Sequence, residues 1–394
     1  MDAASLDKTM LALAAFWISF ALVFHTFIGY PLLITALARC RGNKAPLAEP
    51  LASSTVTVVL AARNEQDRIV PRLENLLASD YPADRLSIIL VSDGSTDQSA
   101  RRVADLNDSR VTLIERDERA GKPACLNLGV DAARSDIIVF SDARQRFDAN
   151  TISNLVRHFE NPKVGAVSGA LLIQSSDYAV GGGVDAYWRL EKMIRHAESR
   201  WDSCIGCTGA VYAIRRELYE AIPADTLIDD VEIPMRIATR GFRVLYDFDS
   251  QAHDSQSLEP AREKIRKQRT LAGNYQMLFR HPGWLFPWRN RLWWQLISHK
   301  YLRLAAPFLL ITLMASNLML IGEPLYPALL WFHGGFYALA LLGGLFPPLR
   351  MALFSIPAGF LFLNLMSLRG LYYYLFKSAK SGWDSTTTQP AQKN

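Results

Sequence analysis

Cysteine is scarce in this chain, with four residues, Cys40, Cys125, Cys204 and Cys207, among 394. Their spacing forms no framework, which excludes a disulfide-stapled scaffold. Cys204-x-x-Cys207 has no second pair to complete a zinc site, so a reducing surrounding fits better. A strong charge of one sign is also missing. The formal net charge is +5, and Lys and Arg gather near the apolar ends and over Arg262–Arg269 without lining one stripe, so nucleic acid is not an expected partner. No Gly-x-Gly-x-x-Gly follows the first apolar strand, which argues against a dinucleotide-dependent oxidoreductase. Internal repeats and low-complexity tracts are absent.

What is present is unevenly spread. Half of the residues (50%) are apolar, concentrated in nearly uncharged runs at the two ends, while residues 45–280 carry an ordinary globular mixture. That is the profile of a soluble domain built into a membrane protein, and the length favours two units. Met10–Ala38 is too long for a signal-peptide core and lacks a strongly basic start, so it reads as a retained transmembrane helix. Arg39, Arg41 and Lys44 follow it and place that side in the cytoplasm. Pro46–Ser54 reads as a linker.

From Trp284 the composition shifts again. Trp284, Trp288, Trp293 and Trp294, mixed with Arg289, Arg291 and Lys300, suit an amphipathic helix at a membrane interface. Leu302–Ile321, Ala328–Phe346 and Met351–Phe376 are candidate spans. The expected division is residues 1–45 for the first membrane helix and its flank and 46–280 for a cytoplasmic domain. An interfacial helix takes 281–300, about three membrane helices take 301–380, and 381–394 form a polar tail. Three spans leave the C-terminus outside, against which Lys377 and Lys380 argue.

Between the apolar ends, strands and helices alternate, the signature of a parallel sheet. Strands are expected at Val56–Ala61, Leu86–Val91, Val111–Glu115, Ile137–Phe140, Val164–Ser168, Gly206–Ile214 and Gly241–Tyr246. Helices are expected at Glu65–Ser79, Asp97–Asn107, Lys122–Ala133, Thr151–Phe159, Ala186–Arg200, Arg215–Ala221 and Asp229–Thr239. Gly181–Gly183 reads as a flexible break before the Ala186–Arg200 helix, which is charged on one face.

The chain is organised around Asp136–Arg144. Ile137–Phe140 suits a strand buried on both faces, and it breaks abruptly into Ser141, Asp142, Ala143 and Arg144. A carboxylate at the carboxyl end of such a strand opens into the crevice where α/β sheets bind ligands. Asp142 there is either a hard oxygen ligand for a divalent cation carrying phosphates or an ordinary turn residue. The first strand ends in Ala62-Arg63-Asn64-Glu65 and the second in Ser92-Asp93-Gly94-Ser95-Thr96-Asp97. Asp93 and Glu65 can accept from a pyrimidine N–H or from ribose hydroxyls, while Gly94 permits close backbone approach and Ser95 to Asp97 open a helix. Each loop alone is no more than a capped turn; together, in order and followed by Asp142, they are far more specific.

With these three motifs in order, the chain resembles glycosyltransferase family 2, in the membrane-embedded branch that includes synthases of cellulose, chitin, hyaluronan and poly-N-acetylglucosamine. The resemblance spans roughly residues 50–275 and the flanking membrane helices. It implies an α/β GT-A-like (Rossmann-like) nucleotide-sugar domain inserted between transmembrane helices, and Mg²⁺ or Mn²⁺ as cofactor. Ala62 to Glu65, Asp93 and Gly94 would hold the donor. Asp142 would be the first acid of the family's Asp-x-Asp metal motif, whose second acid is replaced by Arg144. Guanidinium cannot ligate a cation but pairs with a diphosphate through two parallel hydrogen bonds. Either Asp142 still anchors a metal with water and phosphates, or Arg144 partly replaces it.

Further motifs extend the resemblance. Lys122, in Ala120-Gly121-Lys122-Pro123, matches a Gly-Lys that approaches the donor; the plain alternative is a solvated lysine. Gly206-Cys207-Thr208-Gly209-Ala210 offers small residues for close approach of an acceptor, with Gly209 and Ala210 as contacts, or simply packs as a strand. Leu227-Ile228-Asp229-Asp230-Val231-Glu232 resembles the family's acidic pair: Asp230 aligns with the catalytic base and Asp229 lies beside the acceptor. Such a pair also serves helix N-termini in general. In Arg262–Thr270, register puts Arg269 on the family's diphosphate arginine, while Thr270 replaces the tryptophan that stacks on the acceptor. A basic helix near lipid headgroups accounts for part of the same stretch.

The function implied is a membrane-bound inverting glycosyltransferase. Its implied partners are a nucleotide-sugar donor (a UDP-sugar by expectation), a glycan or lipid-linked acceptor, membrane lipids and accessory synthase subunits. The competing class is a non-catalytic nucleotide-sugar-binding subunit supporting a partner synthase, motivated by Arg144 and Thr270.

Overall fold

The computed structural model describes residues 3–41, 54–173, 182–254, 260–346 and 351–376. The expected linker, Gly181, Lys44, Lys377, Lys380 and the polar tail lie wholly or largely outside these residues. The chain enters through α1 (Ala3–Phe24) and α2 (Tyr30–Cys40), joined without a break by a π-helical stretch, His25–Gly29. Then follow β1 (Val56–Ala62), α3 (Ile69–Leu77), β2 (Leu86–Asp93), α4 (Ser99–Asp105), β3 (Val111–Arg116) and α5 (Lys122–Ala132). The next elements are β4 (Ile137–Ser141), β5 (Arg146–Phe147), α6 (Thr151–Val156), β6 (Val164–Ile173) and α7 (Gly182–Trp201). β7 (Val211–Arg215), α8 (Asp229–Thr239), β8 (Arg243–Asp254) and α9 (Pro260–Arg280) complete this part.

All eight strands form one sheet in the order β3-β2-β1-β4-β7-β6-β8-β5. β3, β2, β1 and β4 run parallel, as expected, but β7 is antiparallel to both β4 and β6, so the sheet is mixed. A strand buried on both faces has the same apolar composition in either direction, so its sequence does not reveal the reversal. Every residue of β4 is buried. One sheet face packs on α3 and α6 through Leu73, Leu76, Ile152 and Leu155. The other packs on α5 and α8, and its core runs on without interruption through Tyr275 and Met277 to Leu296 and Leu304. The sheet is therefore covered on both sides, and one cover merges with the apolar C-terminal helices.

Several expected boundaries move. Gly206–Ala210 is a turn and not part of a strand, Arg215–Ala221 shortens to a 3₁₀ turn at Arg216–Leu218, and Gly182 and Gly183 lie inside α7 instead of in a break. No separate amphipathic helix spans 281–300. A 3₁₀ turn (Pro282–Leu285) is followed by α10 (Trp293–Leu296), a π-helical stretch (Ile297–Tyr301) and α11 (Leu302–Met319). Together they make one apolar segment, Trp293–Met319, because the tryptophans at 293 and 294 continue the apolar run instead of flanking it. α12 (Tyr326–Leu345) and α13 (Ala352–Phe376) follow. Among the described residues, four helices are long and apolar enough to cross a membrane: Asp7–Cys40, Trp293–Met319, Tyr326–Leu345 and Ala352–Phe376.

Candidate active site

The loops after β1 and β2 are laced together. Asn64 takes the left-handed conformation (φ 54°), and its Oδ1 accepts from Thr96 N at 2.9 Å. Glu65 N donates to Ser99 Oγ at 2.8 Å, and Gln66 N to the Asp97 carboxylate at 3.1 Å. Ala62 is buried at the end of β1. Burial raises the Glu65 carboxyl, opposed first by Arg68 and then by Arg144. Gly94 is also left-handed (φ 60°), and a Cβ there would stand 2.9 Å from Arg119 N. No other residue fits that turn without strain.

Asp93 has a different placement from a freely exposed acceptor. Its two oxygens take the backbone amides of Ala120 (2.7 Å) and Gly121 (2.9 Å), so its carboxylate shapes the turn that launches Lys122. From there the Lys122 ammonium donates to Asp142 Oδ1 at 2.9 Å and stands 3.5 Å from Asp229 Oδ2. The acid that follows β4 and the acidic pair that opens α8 thus meet around one lysine, while Asp93 of β2 holds the turn before it. Burial would weaken that lysine as a base, but Asp142, Asp229 and Asp230 outweigh it and raise its pKa. In return, burial alone would push Asp142 up, yet Lys122, Arg144 and Arg269 hold it below the ordinary carboxylate range.

Arg144 turns toward β8. It pairs with the buried Asp254 at 2.8 Å, and Gln145 Nε2 donates to the same carboxylate at 3.1 Å. Arg269 reaches the cleft from α9; burial makes it a weaker base, and Asp229, Asp142 and Asp230 oppose that effect. Beneath the cleft floor, Arg72 donates to Ser141 Oγ at 2.6 Å.

The Gly206–Ala210 turn wraps around the acidic pair. Cys207 N donates to Asp230 O at 2.7 Å, and a Cβ on Gly209 would meet Asp230 Oδ2 at 3.1 Å. Ala210 is buried, and its carbonyl accepts from Ser141 Oγ at 3.3 Å. Asp230 is partly buried. Desolvation and the neighbouring Asp229 push its carboxyl up, against Lys122, Arg195 and Lys300. An elevated carboxyl in a cleft, backed by a like charge, is the electrostatic setting of a general base.

The structure thus brings together Lys122, Asp142, Asp229, Asp230, Gly209 and Arg269, with Glu65 and Arg144 near Asp142. Motif reading missed three charged neighbours. Asp254 pairs with Arg144 from a strand end without a local signature. Arg195 donates to Thr208 Oγ1 at 3.3 Å from the charged face of α7, and that face was the only signal. Lys300 acts on Asp230 from within the apolar segment Trp293–Met319.

Whether the site suits a divalent cation is decided by its donors. No group of three His, Cys, Asp or Glu that could hold a metal exists among the described residues. Asp142 is 40% exposed at its side chain, and its Oδ1 accepts from Lys122. A magnesium-like cation bound through one carboxylate, with phosphates and water completing the shell, fits this donor set.

Residues 57–222 match the model of glycosyl transferase family 2, so this part of the chain carries a family 2 glycosyltransferase domain with a GT-A-like sheet. It is 25% identical over 211 residues to the poly-beta-1,6-N-acetyl-D-glucosamine synthase of Staphylococcus aureus (strain MSSA476), covering 52% of this chain and 51% of that one. It is 28% identical over 216 residues to glycosyltransferase AglD of Haloferax volcanii, covering 51% of this chain and 34% of that one. These matches span at most about half the length of the relatives. A solved structure, mannosyltransferase PcManGT from Pyrobaculum calidifontis in complex with GDP-Man and Mn²⁺, superimposes with a TM-score of 0.67 at 25% identity. That likeness covers 92% of this chain and 99% of PcManGT.

Proposed function

We propose that the chain transfers a sugar with inversion from a nucleotide donor to an acceptor hydroxyl, with Asp230 as base. One observation carries this reading: Lys122 touches both Asp142 and Asp229, which links the donor acid to the acceptor pair. The nucleoside lies over Ala62–Glu65 and Gly94, and the diphosphate lies between Asp142, Lys122, Arg144 and Arg269. The acceptor oxygen forms a bond to the anomeric carbon from the face opposite the nucleotide and gives its proton to Asp230. The bond from that carbon to the leaving phosphate oxygen breaks, and its electron pair leaves with the diphosphate. Lys122 and Arg269 offset the charge that builds there. A divalent cation bound on Asp142 would share that task. One base and no enzyme nucleophile imply inversion, by analogy with inverting hydrolases.

The donor is a nucleotide sugar. Likeness to a polymer synthase favours a UDP-sugar, and likeness to a mannosyltransferase crystallised with GDP-Man favours a GDP-sugar. Arg39 and Arg41, at the end of the first apolar segment, favour the cytoplasmic side for the domain. The acceptor is a glycan or a lipid-linked sugar reaching Asp230 from the side of the apolar segment Trp293–Met319, which carries Lys300. Incubating the purified chain with UDP- and GDP-sugars and Mn²⁺ tests the proposal. Release of nucleoside diphosphate from one donor supports it, and silence with every donor favours the non-catalytic subunit.

A further inference from the structure

Helix α9 has two working faces. The inner face carries Arg269, Gly273, Gln276 and Arg280, a spacing of four, three and four that aligns them along one side. Arg269 enters the cleft. Gly273 packs on Ile228, the residue just before the acidic pair; a Cβ there would meet Ile228 Cγ2 at 2.6 Å and Cγ1 at 2.8 Å. Gln276 accepts from Leu227 N at 2.9 Å and donates to Asp225 O at 2.9 Å. Arg280 donates to Thr226 Oγ1 at 3.1 Å and pairs with Asp225 at 2.7 Å. The loop leading into Asp229 and Asp230 is therefore attached to α9 at every residue from 225 to 228.

The outer face is docked on the membrane helices. Gly370 of α13 lies so close that a Cβ would stand 2.7 Å from Leu271 Cβ and 3.1 Å from Ala272 N. The Tyr275 hydroxyl donates to Leu304 O of α11 at 3.1 Å, with Ser367 Oγ of α13 at 3.2 Å. Gln268 donates to Arg369 O at 3.4 Å, and Phe279 stacks on Tyr374 with ring centroids 5.5 Å apart.

Two close-packed interfaces on different faces of one helix leave little slack, because dense packing passes displacement on instead of absorbing it. We propose that α9 transmits the seating of α11 and α13 to the Asp229–Asp230 pair, making Gly273 and Gly370 positioning residues for sugar transfer. The inference rests on Asp230 acting as base. A misplacement of about 1 Å at reacting groups can cost about 10²-fold in rate, so a methyl at either glycine should register in turnover.

The test uses the full chain in lipid nanodiscs. Gly273→Ala is expected to lower kcat about tenfold with donor KM within about twofold. Adding Ile228→Ala, which vacates the space the methyl needs, is expected to restore most of the loss. Gly370→Ala, on the face of α9 that packs on α13, is expected to lower kcat in the same manner and to speed hydrogen exchange at residues 225–231. Should Gly370→Ala not assemble, Tyr275→Phe removes one hydroxyl and carries the same test. Unchanged kcat and exchange in a folded α13-side variant would overturn the proposal, as would failure of Ile228→Ala to rescue. Exchange at 225–231 does not depend on which residue is the base, so it decides the linkage even if Asp230→Asn stays active.

Discussion

Lys122 donates to Asp142 at 2.9 Å, and that single contact joins the start of α5 to the end of β4. Because the same ammonium lies 3.5 Å from Asp229, its removal leaves three carboxylates facing one another. Lys122→Met is expected to lower turnover about 10²-fold, the scale of losing one preorganised charge partner in a closed site. It should also cost about 2 kcal/mol of stability, less than for a fully buried pair because Asp142 is half exposed. Nucleoside diphosphate release and thermal unfolding check both.

The acidic pair sets the pH response. Burial and Asp229 raise Asp230, so the ionised base appears above the ordinary value of 3.8. Turnover is expected to rise with pH through that raised value, with its acid limb above the ordinary carboxylate range. Asp229→Asn removes the repulsion that disfavours the charged form, so the limb moves to lower pH. A pH–rate profile of both proteins decides this; a limb that moves upward contradicts the assignment.

Arg144 and Asp254 form a second pair worth separating. Arg144→Asp restores an acid two residues after Asp142 and deprives the buried Asp254 of its 2.8 Å partner. Alone it is expected to cost about 3 kcal/mol, the scale of breaking a buried ion pair. With Asp254→Asn added, stability should largely return, and the Mn²⁺ concentration for half-maximal turnover should fall about tenfold as a second carboxylate becomes available. An unchanged metal dependence would show that Arg144 does not stand in for a cation.

Much of this architecture was legible, for physical reasons that also mark where reading stopped. β1, β2 and β4 announce themselves as apolar runs, and α8 begins and ends at the expected residues, Asp229 and Thr239. β8 extends eight residues past the expected end at Tyr246, to Asp254. Asp247, Ser250 and Asp254 give that extension no apolar signature, and pairing with β6 and β5 holds it in place. Gly206–Ala210 resembles a strand opening, but its small residues serve a turn that clears Asp230. Asp142, Lys122 and Asp230 were visible through local motifs. Asp254 and Arg195 were not, because only tertiary contacts bring them to the cleft.

Asp230→Asn, assayed for sugar transfer beside the parent protein with nucleotide binding and unfolding measured on both, tests the account most directly. The account predicts loss of turnover by about 10³-fold or more, with donor binding intact. The fold should be equally or more stable, because a carboxyl that burial pushes up gives way to a neutral amide. Turnover within about twofold of the parent in a folded Asp230→Asn protein would contradict it.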